Sequence, residues 1–188
     1  MNDNYKIIAL CGKAGSGKDT VLKSVLSADP SLHEIISYTT RPKRENEIDG
    51  VNYHFVTKEQ IEQKILNNEM LEVAVFNDWI YGTAYDCLDK DRINIGVFNL
   101  DGIDFLKLSP HIDTVICYIT CDDKIRLYRQ LDREEHPDVH EIIRRFTADE
   151  KDFEFIYDEF DVDLTIANEE LNDLYRVRDA ILDLVKIV

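Results

Sequence analysis

Five apolar runs alternate along the chain with segments of helical periodicity. The runs span residues 7–11, 34–39, 93–100, 114–119 and 163–168. Helix-like segments follow Thr20, Asp101, Asp122, Asp138 and Glu169. Each parallel strand needs a crossover connection to reach the next, and a helix is the usual one. The pattern therefore predicts an α/β fold with a parallel sheet in a three-layer core.

Two stretches interrupt this alternation. Residues 37–92 contain further β-rich segments, and residues 129–150 are dense in charge. We interpret the first as a mixed α/β insertion and the second as a short lid. The remaining core is 1–36, 93–128 and 151–188. The sequence has no internal repeat and no linker rich in Gly, Pro or Ser, so residues 1–188 are predicted to form a single domain.

The composition narrows the range of partners. The 188 residues include 22 Lys and Arg against 38 Asp and Glu, a formal charge of −16. Such a charge argues against nucleic acid or an anionic membrane as a partner. No secretory or membrane-spanning pattern is found, so we expect a cytoplasmic protein, in the host's cytoplasm if the gene is viral. We separately expect a monomer or a homodimer. The four cysteines show no C-x-x-C spacing and are expected to be free thiols.

The stretch GKAGSGKDT, residues 12–20, follows most of the phosphate-loop pattern G-x-x-x-x-G-K-[ST]. Glycines let the backbone turn its N–H groups inward, and Lys18 would reach the outer phosphates. An apolar run precedes the loop and helical spacing follows it, which is the context such a loop requires; a chance glycine turn is the alternative. The predicted phosphate-binding residues are Gly12, Lys13, Ala14, Gly15, Ser16, Gly17, Lys18, Asp19 and Thr20.

Asp19 occupies the position where the pattern has a hydroxyl residue. A carboxylate beside a triphosphate is repelled unless a metal ion or water lies between them. We hypothesise that Asp19 holds a magnesium-bound water, while Thr20 supplies the hydroxyl. These two residues are the predicted metal site.

Basic and aromatic residues cluster in SYTTRPKRENEIDGVNYHFV, residues 37–56. Arg41 and Arg44 are three residues apart, and Tyr53 follows nine residues later. Guanidinium groups form forked, charge-assisted bonds to phosphate, and a tyrosine hydroxyl adds a directed donor. Spacing alone leaves a second interpretation open, namely a solvated turn with unrelated arginines.

This segment resembles the guanylate kinase family. Residues 37–56 match every fixed position of the family pattern S-x-T-T-R-x-x-R-x-x-E-x-x-G-x-x-Y-x-F-V. The similarity continues through NNEMLEVAVFNDWIYGT, residues 67–83, and with gaps covers nearly the whole chain. The resemblance implies a P-loop NTPase core with an NMP-binding insertion and a lid. It also implies transfer of the γ-phosphoryl group of ATP to GMP or dGMP, with Mg²⁺.

The resemblance also implies roles for individual residues. The acceptor nucleotide would be held by Ser37, Arg41, Arg44, Tyr53, Glu72, Tyr81, Thr83 and Asp101. Guanine presents adjacent N–H donors, so one buried carboxylate and nearby hydroxyls complement it, whereas adenine would set lone pairs against that carboxylate. The alternative for Glu72 is a solvent-facing carboxylate on a strand whose Leu71, Val73 and Val75 point inward.

Phosphoryl transfer of this kind depends on alignment and charge neutralisation, with no general base required. The predicted catalytic residues are Lys18, Arg41, Asp101, Arg133 and Arg145. Arg129 and Arg144 are further candidates for arginines that close over the phosphates from the lid. The chain departs from the family in two places: acidic REEHPD replaces an R-G-R-G-like turn, and Asn99 replaces the first carboxylate of D-x-D.

Two other functions remain open. The GKDT variant resembles loops of some bacteriophage deoxynucleoside monophosphate kinases, which favours a broader substrate range. A guanylate-kinase-like module without catalysis could instead bind phosphorylated protein segments with the same arginines. The intact Gly12, Gly17 and Lys18 argue against this second alternative.

Overall fold

The computed structural model describes residues 4–44, 47–76, 78–133, 135–170 and 172–187. The strands over these residues are β1 (Tyr5–Cys11), β2 (His33–Glu34), β3 (Tyr38–Thr39), β4 (His54–Phe55), β5 (Met70–Phe76), β6 (Trp79–Ala84), β7 (Ile93–Val97), β8 (Ile112–Thr120) and β9 (Leu164–Ala167). The α-helices are α1 (Lys18–Ala28), α2 (Lys58–Leu66), α3 (Leu100–Leu108), α4 (Asp123–Asp132), α5 (Val139–Asp152), α6 (Ile156–Glu159) and α7 (Asp173–Val185).

The strands form two sheets. One has the order β2-β7-β1-β8-β9, and the other has the order β4-β3-β6-β5. In the first sheet, β2 with β7 and β8 with β9 pair in parallel. The second sheet is mixed, since β3 pairs in parallel with β4 but antiparallel with β6. The predicted α/β class with a parallel sheet is therefore confirmed.

Two of the predicted strands have different bounds in the structure. The apolar run at 34–39 is divided between β2 and β3, which lie in different sheets. The run at 93–100 leaves the sheet after Val97, because Asn99 caps α3 by accepting the N–H of Gly102 at 2.8 Å. A side-chain amide or carboxylate at this position favours the start of a helix over the continuation of a strand.

The chain divides into two compact units. The first contains the described residues of 1–7 and 31–114, and the second those of 8–30 and 115–188. The bounds predicted for a core, an insertion and a lid follow a different division, and they stay a prediction.

Each unit has its own apolar core. In the first unit the fully buried side chains include Ile61, Ile95 and Leu106. In the second unit α1 packs against α7, and Val25 and Ile181 are fully buried there. Burying such a side chain contributes roughly 1.5–3 kcal/mol, so these faces fix the helices that carry the site residues.

The cysteines are free thiols, as predicted. Cys11, Cys87 and Cys117 are buried, and Cys121 is half-buried. Burial raises the pKa of the Cys11 thiol to about 12 and that of Cys87 to about 11, so both stay protonated near neutral pH. Within the described part of the chain, no helix combines the length and apolar character needed to cross a membrane.

Candidate functional site

A glycine-rich loop connects β1 to α1 in the second unit. Gly12, Gly15 and Gly17 have φ angles of 153°, 82° and 90°. A Cβ atom at Gly15 would lie 2.4 Å from the carbonyl oxygen of Arg126, and one at Gly12 would lie 2.4 Å from that of Ile119. Only glycine fits these positions without displacing backbone. The predicted strand, loop and helix are thus present.

Three carbonyl groups of the loop accept hydrogen bonds from side chains outside it. Gln130 donates to Ala14 at 3.3 Å, Arg129 donates to Gly15 at 3.4 Å, and Asn168 donates to Ser16 at 2.8 Å. These bonds fix the loop backbone. Arg129 also donates to the carbonyl oxygens of Asn168 and Glu169, both at 2.9 Å, so this lid candidate joins the loop to the chain after β9.

Lys18 is the first residue of α1 and is half-buried. Its Nζ donates to the carbonyl oxygen of Lys13 at 3.3 Å. Burial lowers the pKa of Lys18, and the nearby carboxylates of Asp19 and Asp149 oppose that shift. A poorly hydrated ammonium at a helix N-terminus is well suited to bind an anion.

Asp19 and Thr20 lie on the first turn of α1, with exposed side chains. Their carboxylate and hydroxyl oxygens are ligands of the kind Mg²⁺ prefers. No group of three or more His, Cys, Asp or Glu among the described residues could hold a metal. Mg²⁺ commonly has few protein ligands and completes its shell with water and substrate phosphates, so this small donor set fits it. Ser16 Oγ in the same loop is fully buried and has no hydrogen-bond partner among the described residues.

A buried arginine and two carboxylates adjoin the loop. Asp149 Oδ2 accepts the N–H of Ala14 at 2.6 Å and lies 3.4 Å from Arg126 Nη1. Glu150 forms ion pairs with Arg126 and, at 2.9 Å, with Lys13. Arg126 is fully buried, with its guanidinium 3.8 Å from the centre of the Phe146 ring. The sequence analysis missed this network, because its members are far apart in sequence and match no motif.

The remaining arginines of the predicted lid lie on the surface of the second unit. Arg133 is exposed at the C-terminal end of α4. Arg144 and Arg145 both bind Glu141 at 2.7 Å on α5, and Arg144 in particular lowers the pKa of Glu141 to about 2. The catalytic roles of Arg133 and Arg145 stay predictions.

In the first unit, Arg41 forms a forked ion pair with Glu47. Nη2 and Nη1 donate to the two carboxylate oxygens at 2.6 and 2.9 Å. Arg41 is only 7% exposed, and its guanidinium lies 5.6 Å from the ring centres of Tyr53 and Phe55. Its hydrogen bonds lower the pKa of Glu47 to about 2. The side chain of Arg44 is exposed, while its backbone N–H donates to Glu47 at 2.8 Å.

A pocket of about 210 Å³ lies in the same unit. Its lining residues are Ser37, Tyr53, Glu72, Ala74, Tyr81, Gly82, Val97, Phe98 and Asn99. The rings of Tyr53 and Tyr81 meet edge to face, with centres 5.9 Å apart. The structure thus gathers Ser37, Tyr53, Glu72 and Tyr81 around one cavity.

Glu72 belongs to a hydrogen-bonded chain at this pocket. Thr83 Oγ1 donates to Glu72 Oε1 at 2.8 Å, and Ser37 Oγ lies 3.0 Å from Thr83 Oγ1. Burial raises the pKa of Glu72, and Asp101 adds to the shift. The alternative of a solvent-facing Glu72 is wrong, because Glu72 is half-buried. Of the side chains that this alternative placed inward, Leu71 is buried but Val75 is 71% exposed.

Asp101 and Asn99 lie at the start of α3. Asp101 is exposed on the first turn, and Asn99 caps the helix and also lines the pocket. Asn99 was noted from sequence only as a departure from D-x-D. Its neighbours Phe98 and Val97, together with Ala74, are pocket residues that the sequence analysis did not identify.

Comparison with known proteins gives consistent matches over most of the chain. The guanylate kinase family model matches residues 4–183. The guanylate kinase of Helicobacter hepaticus is 32% identical over 169 residues, which are 88% of this chain and 83% of that protein. The guanylate kinase of Clostridium perfringens strain SM101 is 27% identical over 184 residues, covering 96% and 84%. The crystal structure of guanylate kinase from Anaplasma phagocytophilum superposes with a TM-score of 0.70 at 19% identity, covering 98% of this chain and 86% of that one, which shows the shared fold.

Proposed function

This chain belongs to the guanylate kinase family, and we propose that it transfers the γ-phosphoryl group of ATP to GMP, giving ADP and GDP. The observation that carries the proposal is the half-buried Glu72, hydrogen-bonded to Thr83 in a pocket that two tyrosines line. This arrangement can bind the N–H edge of a guanine, and Arg41 and Arg44, which would bind the phosphate, belong to the same unit.

Recognition of GMP would use two parts of the first unit. Ionised Glu72 would accept hydrogen bonds from the N1–H and the exocyclic amine of guanine, while Thr83 and Ser37 hold the carboxylate in place. Adenine presents an acceptor at N1, so its lone pair would oppose the carboxylate. Arg41, Arg44, Tyr53 and Tyr81 would bind the phosphate of GMP, since charged forks and hydroxyl donors suit that anion.

ATP would bind to the glycine-rich loop of the second unit. The N–H groups at the start of α1 and the ammonium of Lys18 would hold its phosphates. Asp19 and Thr20 would hold Mg²⁺, which supplies charge neutralisation at the phosphates when it is bound. The buried hydroxyl of Ser16 would find a partner in a phosphate oxygen.

The reaction makes modest demands on the protein. A phosphate oxygen of GMP is already an adequate nucleophile, so it attacks the γ-phosphorus as the bond to the β-phosphate oxygen breaks. Lys18 stabilises charge on the transferred group, and Arg41 orients the attacking phosphate. Two arginines, Arg133 and Arg145, are proposed to neutralise charge and exclude water at the same step. Asp101 is proposed to act there by holding the acceptor nucleotide.

The proposal covers both GMP and dGMP as acceptors. It also includes the magnesium site and a monomeric or homodimeric state. The comparisons do not favour the two alternatives, a broader deoxynucleoside monophosphate kinase and a module without catalysis.

A coupled assay of ADP formation with eight common ribo- and deoxynucleoside monophosphates tests the function. We expect turnover with GMP or dGMP that exceeds turnover with every other acceptor at least tenfold. Equal activity on thymidylate would contradict guanine specificity. Lys18→Met, prepared in parallel, controls for contaminating kinases, because removing the loop ammonium should abolish the signal.

A further inference from the structure

The phosphate loop already binds an anionic side chain from its own unit. A single oxygen of Asp149, Oδ2, accepts the N–H of Ala14 at 2.6 Å and faces Nη1 of Arg126 at 3.4 Å. A backbone N–H and a guanidinium converging on one oxygen is the donor combination that binds phosphate in proteins. The position of Oδ2 therefore has the chemistry of a phosphate-oxygen site.

The surrounding charges favour an anion at this position. Asp149 is 19% exposed, and both Lys18 and Arg126 interact with its carboxylate. Burial raises the pKa of Asp149, while the N–H of Ala14 and these two cations oppose the shift. Any oxyanion that replaced the carboxylate would meet the same three groups.

Arg126 would keep its position if Asp149 moved away. Its Nε donates to Asp123 at 2.8 Å, Nη2 pairs with Glu150, and the guanidinium packs on Phe146. Two carboxylates and a ring thus hold the guanidinium when only the side chain of Asp149 rotates away and α5, which also carries Phe146 and Glu150, stays in place. A cation fixed in this way is preorganised for an incoming phosphate.

The place of Ala14 in the loop indicates which phosphate would fit. Gly17 is the N-cap of α1, and the N–H groups at that helix start receive the inner phosphates. Ala14 precedes Gly17 by three residues, and Lys18, which reaches the outer phosphates in such loops, interacts with Asp149. The site of Oδ2 therefore corresponds to the outermost phosphate.

We propose that Asp149 occupies the position of a terminal-phosphate oxygen of ATP, and that ATP displaces it and takes over its donors, Ala14 N–H and Arg126. This inference rests on the proposed function. Arg126 is then a phosphate-binding residue of the ATP site, and Asp149 is an internal competitor for that site. ADP lacks the terminal phosphate and can bind while Asp149 stays in place.

The apparent affinity for ATP, but not for ADP, equals the intrinsic affinity multiplied by the fraction of molecules in which the site is free of Asp149. Titration calorimetry of Asp149→Asn with MgATP and MgADP measures this difference. We expect the Kd for MgATP to fall roughly three- to tenfold and that for MgADP to change by less than about twofold. Equal changes for both nucleotides, no change, or weaker binding of MgATP would overturn the inference.

Asp152→Asn is the matched control, because it removes the same charge from an exposed aspartate on the same helix. We expect the ratio of the Kd for MgATP to the Kd for MgADP in Asp152→Asn to stay at the wild-type level. A change in this ratio as large as that in Asp149→Asn would overturn the inference. Asp149→Ser repeats the test should the first variant misfold. In the wild-type protein, MgATP should also shift the carboxyl carbon resonance of Asp149, and an unchanged resonance at saturation would count against displacement.

The same samples separate this inference from the function on which it rests. Wild-type protein that binds ATP but fails to phosphorylate GMP would refute the proposed function, whatever the ratio of Kd values in Asp149→Asn. Wild-type protein that phosphorylates GMP, with an unchanged ratio in the variant, would refute only the role of Asp149.

Discussion

Thr83 Oγ1 donates a 2.8 Å hydrogen bond to Glu72 Oε1, and the two residues lie directly opposite each other on β6 and β5. The single hydroxyl hydrogen of Thr83 is used in this bond, so Ser37 is the donor in its 3.0 Å contact with Thr83. The chain of hydroxyls fixes the orientation of the carboxylate before a ligand arrives.

Thr83→Val should therefore impair recognition of GMP. The variant keeps the volume of the side chain but leaves Glu72 and Ser37 without their shared partner, which costs roughly 1–3 kcal/mol, a factor of about 5 to 150 in kcat/KM for GMP. Steady-state kinetics with varied GMP measure the effect, which should fall mainly on KM. Thr83→Ser retains the hydroxyl and should stay near wild-type activity; a loss as large as that of the valine variant would argue against a hydrogen-bonding role.

The activity should fall on mild acidification because of Glu72. Burial raises the pKa of this carboxyl, so it takes up a proton at a higher pH than an ordinary glutamate. A protonated carboxyl would point an O–H at the N–H donors of guanine, so kcat/KM for GMP should decline on acidification at a higher pH than the titration of an ordinary glutamate would produce. The contribution of Glu72 to the free energy of unfolding of the free protein should instead rise on acidification, because protonation removes a buried charge.

Glu72→Gln provides the comparison for the pH profile. Its amide cannot titrate, so we expect a lower but flatter profile on acidification. A profile in Glu72→Gln that falls as steeply as the wild-type profile would assign the titration to another group.

The contribution of the Arg41 and Glu47 ion pair to stability should depend on pH. The folded-state pKa of Glu47 is lowered to about 2, from an ordinary value of 4.5. Its stabilising contribution is thus complete above about 4.5 and is lost as the pH falls towards about 2. Glu47→Gln should lower the free energy of unfolding at pH 7 by roughly 1–3 kcal/mol, since the buried guanidinium of Arg41 loses its charged partner.

Urea denaturation of both proteins at a series of pH values measures this loss. The gap between wild type and Glu47→Gln should narrow as the pH falls below about 4.5. A gap that is constant with pH would show that the ion pair is not its source. Lys58, in an exposed pair with Glu62, offers a control, and Lys58→Gln should change stability by less than about 0.5 kcal/mol.

The glycine-rich loop could be predicted from the sequence because its chemistry is local, but only four of the nine residues that line the pocket were predicted. Positive φ angles are needed at three positions within six residues, namely Gly12, Gly15 and Gly17. The sequence meets this need with glycines at a recognisable spacing. Glu72 and Thr83 were identified by the family resemblance, and the antiparallel pairing of β5 and β6 explains why residues eleven apart meet.

Contacts distant in sequence could not be predicted in this way. Asp149 reaches the N–H of Ala14 from 135 residues away, and Asn168 reaches the carbonyl of Ser16 from 152 residues away. Neither residue has a composition or spacing signal, because the packing of α5 and the end of β9 places it. The run at 34–39 was predicted as one strand because periodicity does not reveal a change of sheet.

Asp19→Ser should change the response to magnesium. If Asp19 holds a magnesium-bound water on the first turn of α1, its loss removes one charge from the metal shell. We expect the Mg²⁺ concentration for half-maximal activity to rise roughly three- to tenfold at saturating ATP. Asp104→Ser removes another exposed helical aspartate, in the first unit, and should leave the magnesium titration unchanged. An Asp19→Ser titration that overlays the wild-type curve would remove Asp19 from the metal site.

Gly15→Ala and Gly50→Ala form a matched pair that isolates the contact between the loop and Arg126. Both glycines have positive φ angles, 82° and 74°, so alanine is strained at each by about 1–2 kcal/mol. A Cβ at Gly50 meets nothing within 4 Å, whereas one at Gly15 would lie 2.4 Å from the carbonyl oxygen of Arg126, a backbone atom that cannot rotate away. In Gly15→Ala the loop and the start of α4 must separate, so this variant should lose at least about 1 kcal/mol more stability than Gly50→Ala. Its affinity for ATP should also fall at least about tenfold. Urea denaturation and calorimetry with ATP measure the two effects, and equal losses in both variants would show that the loop does not depend on its contact with Arg126.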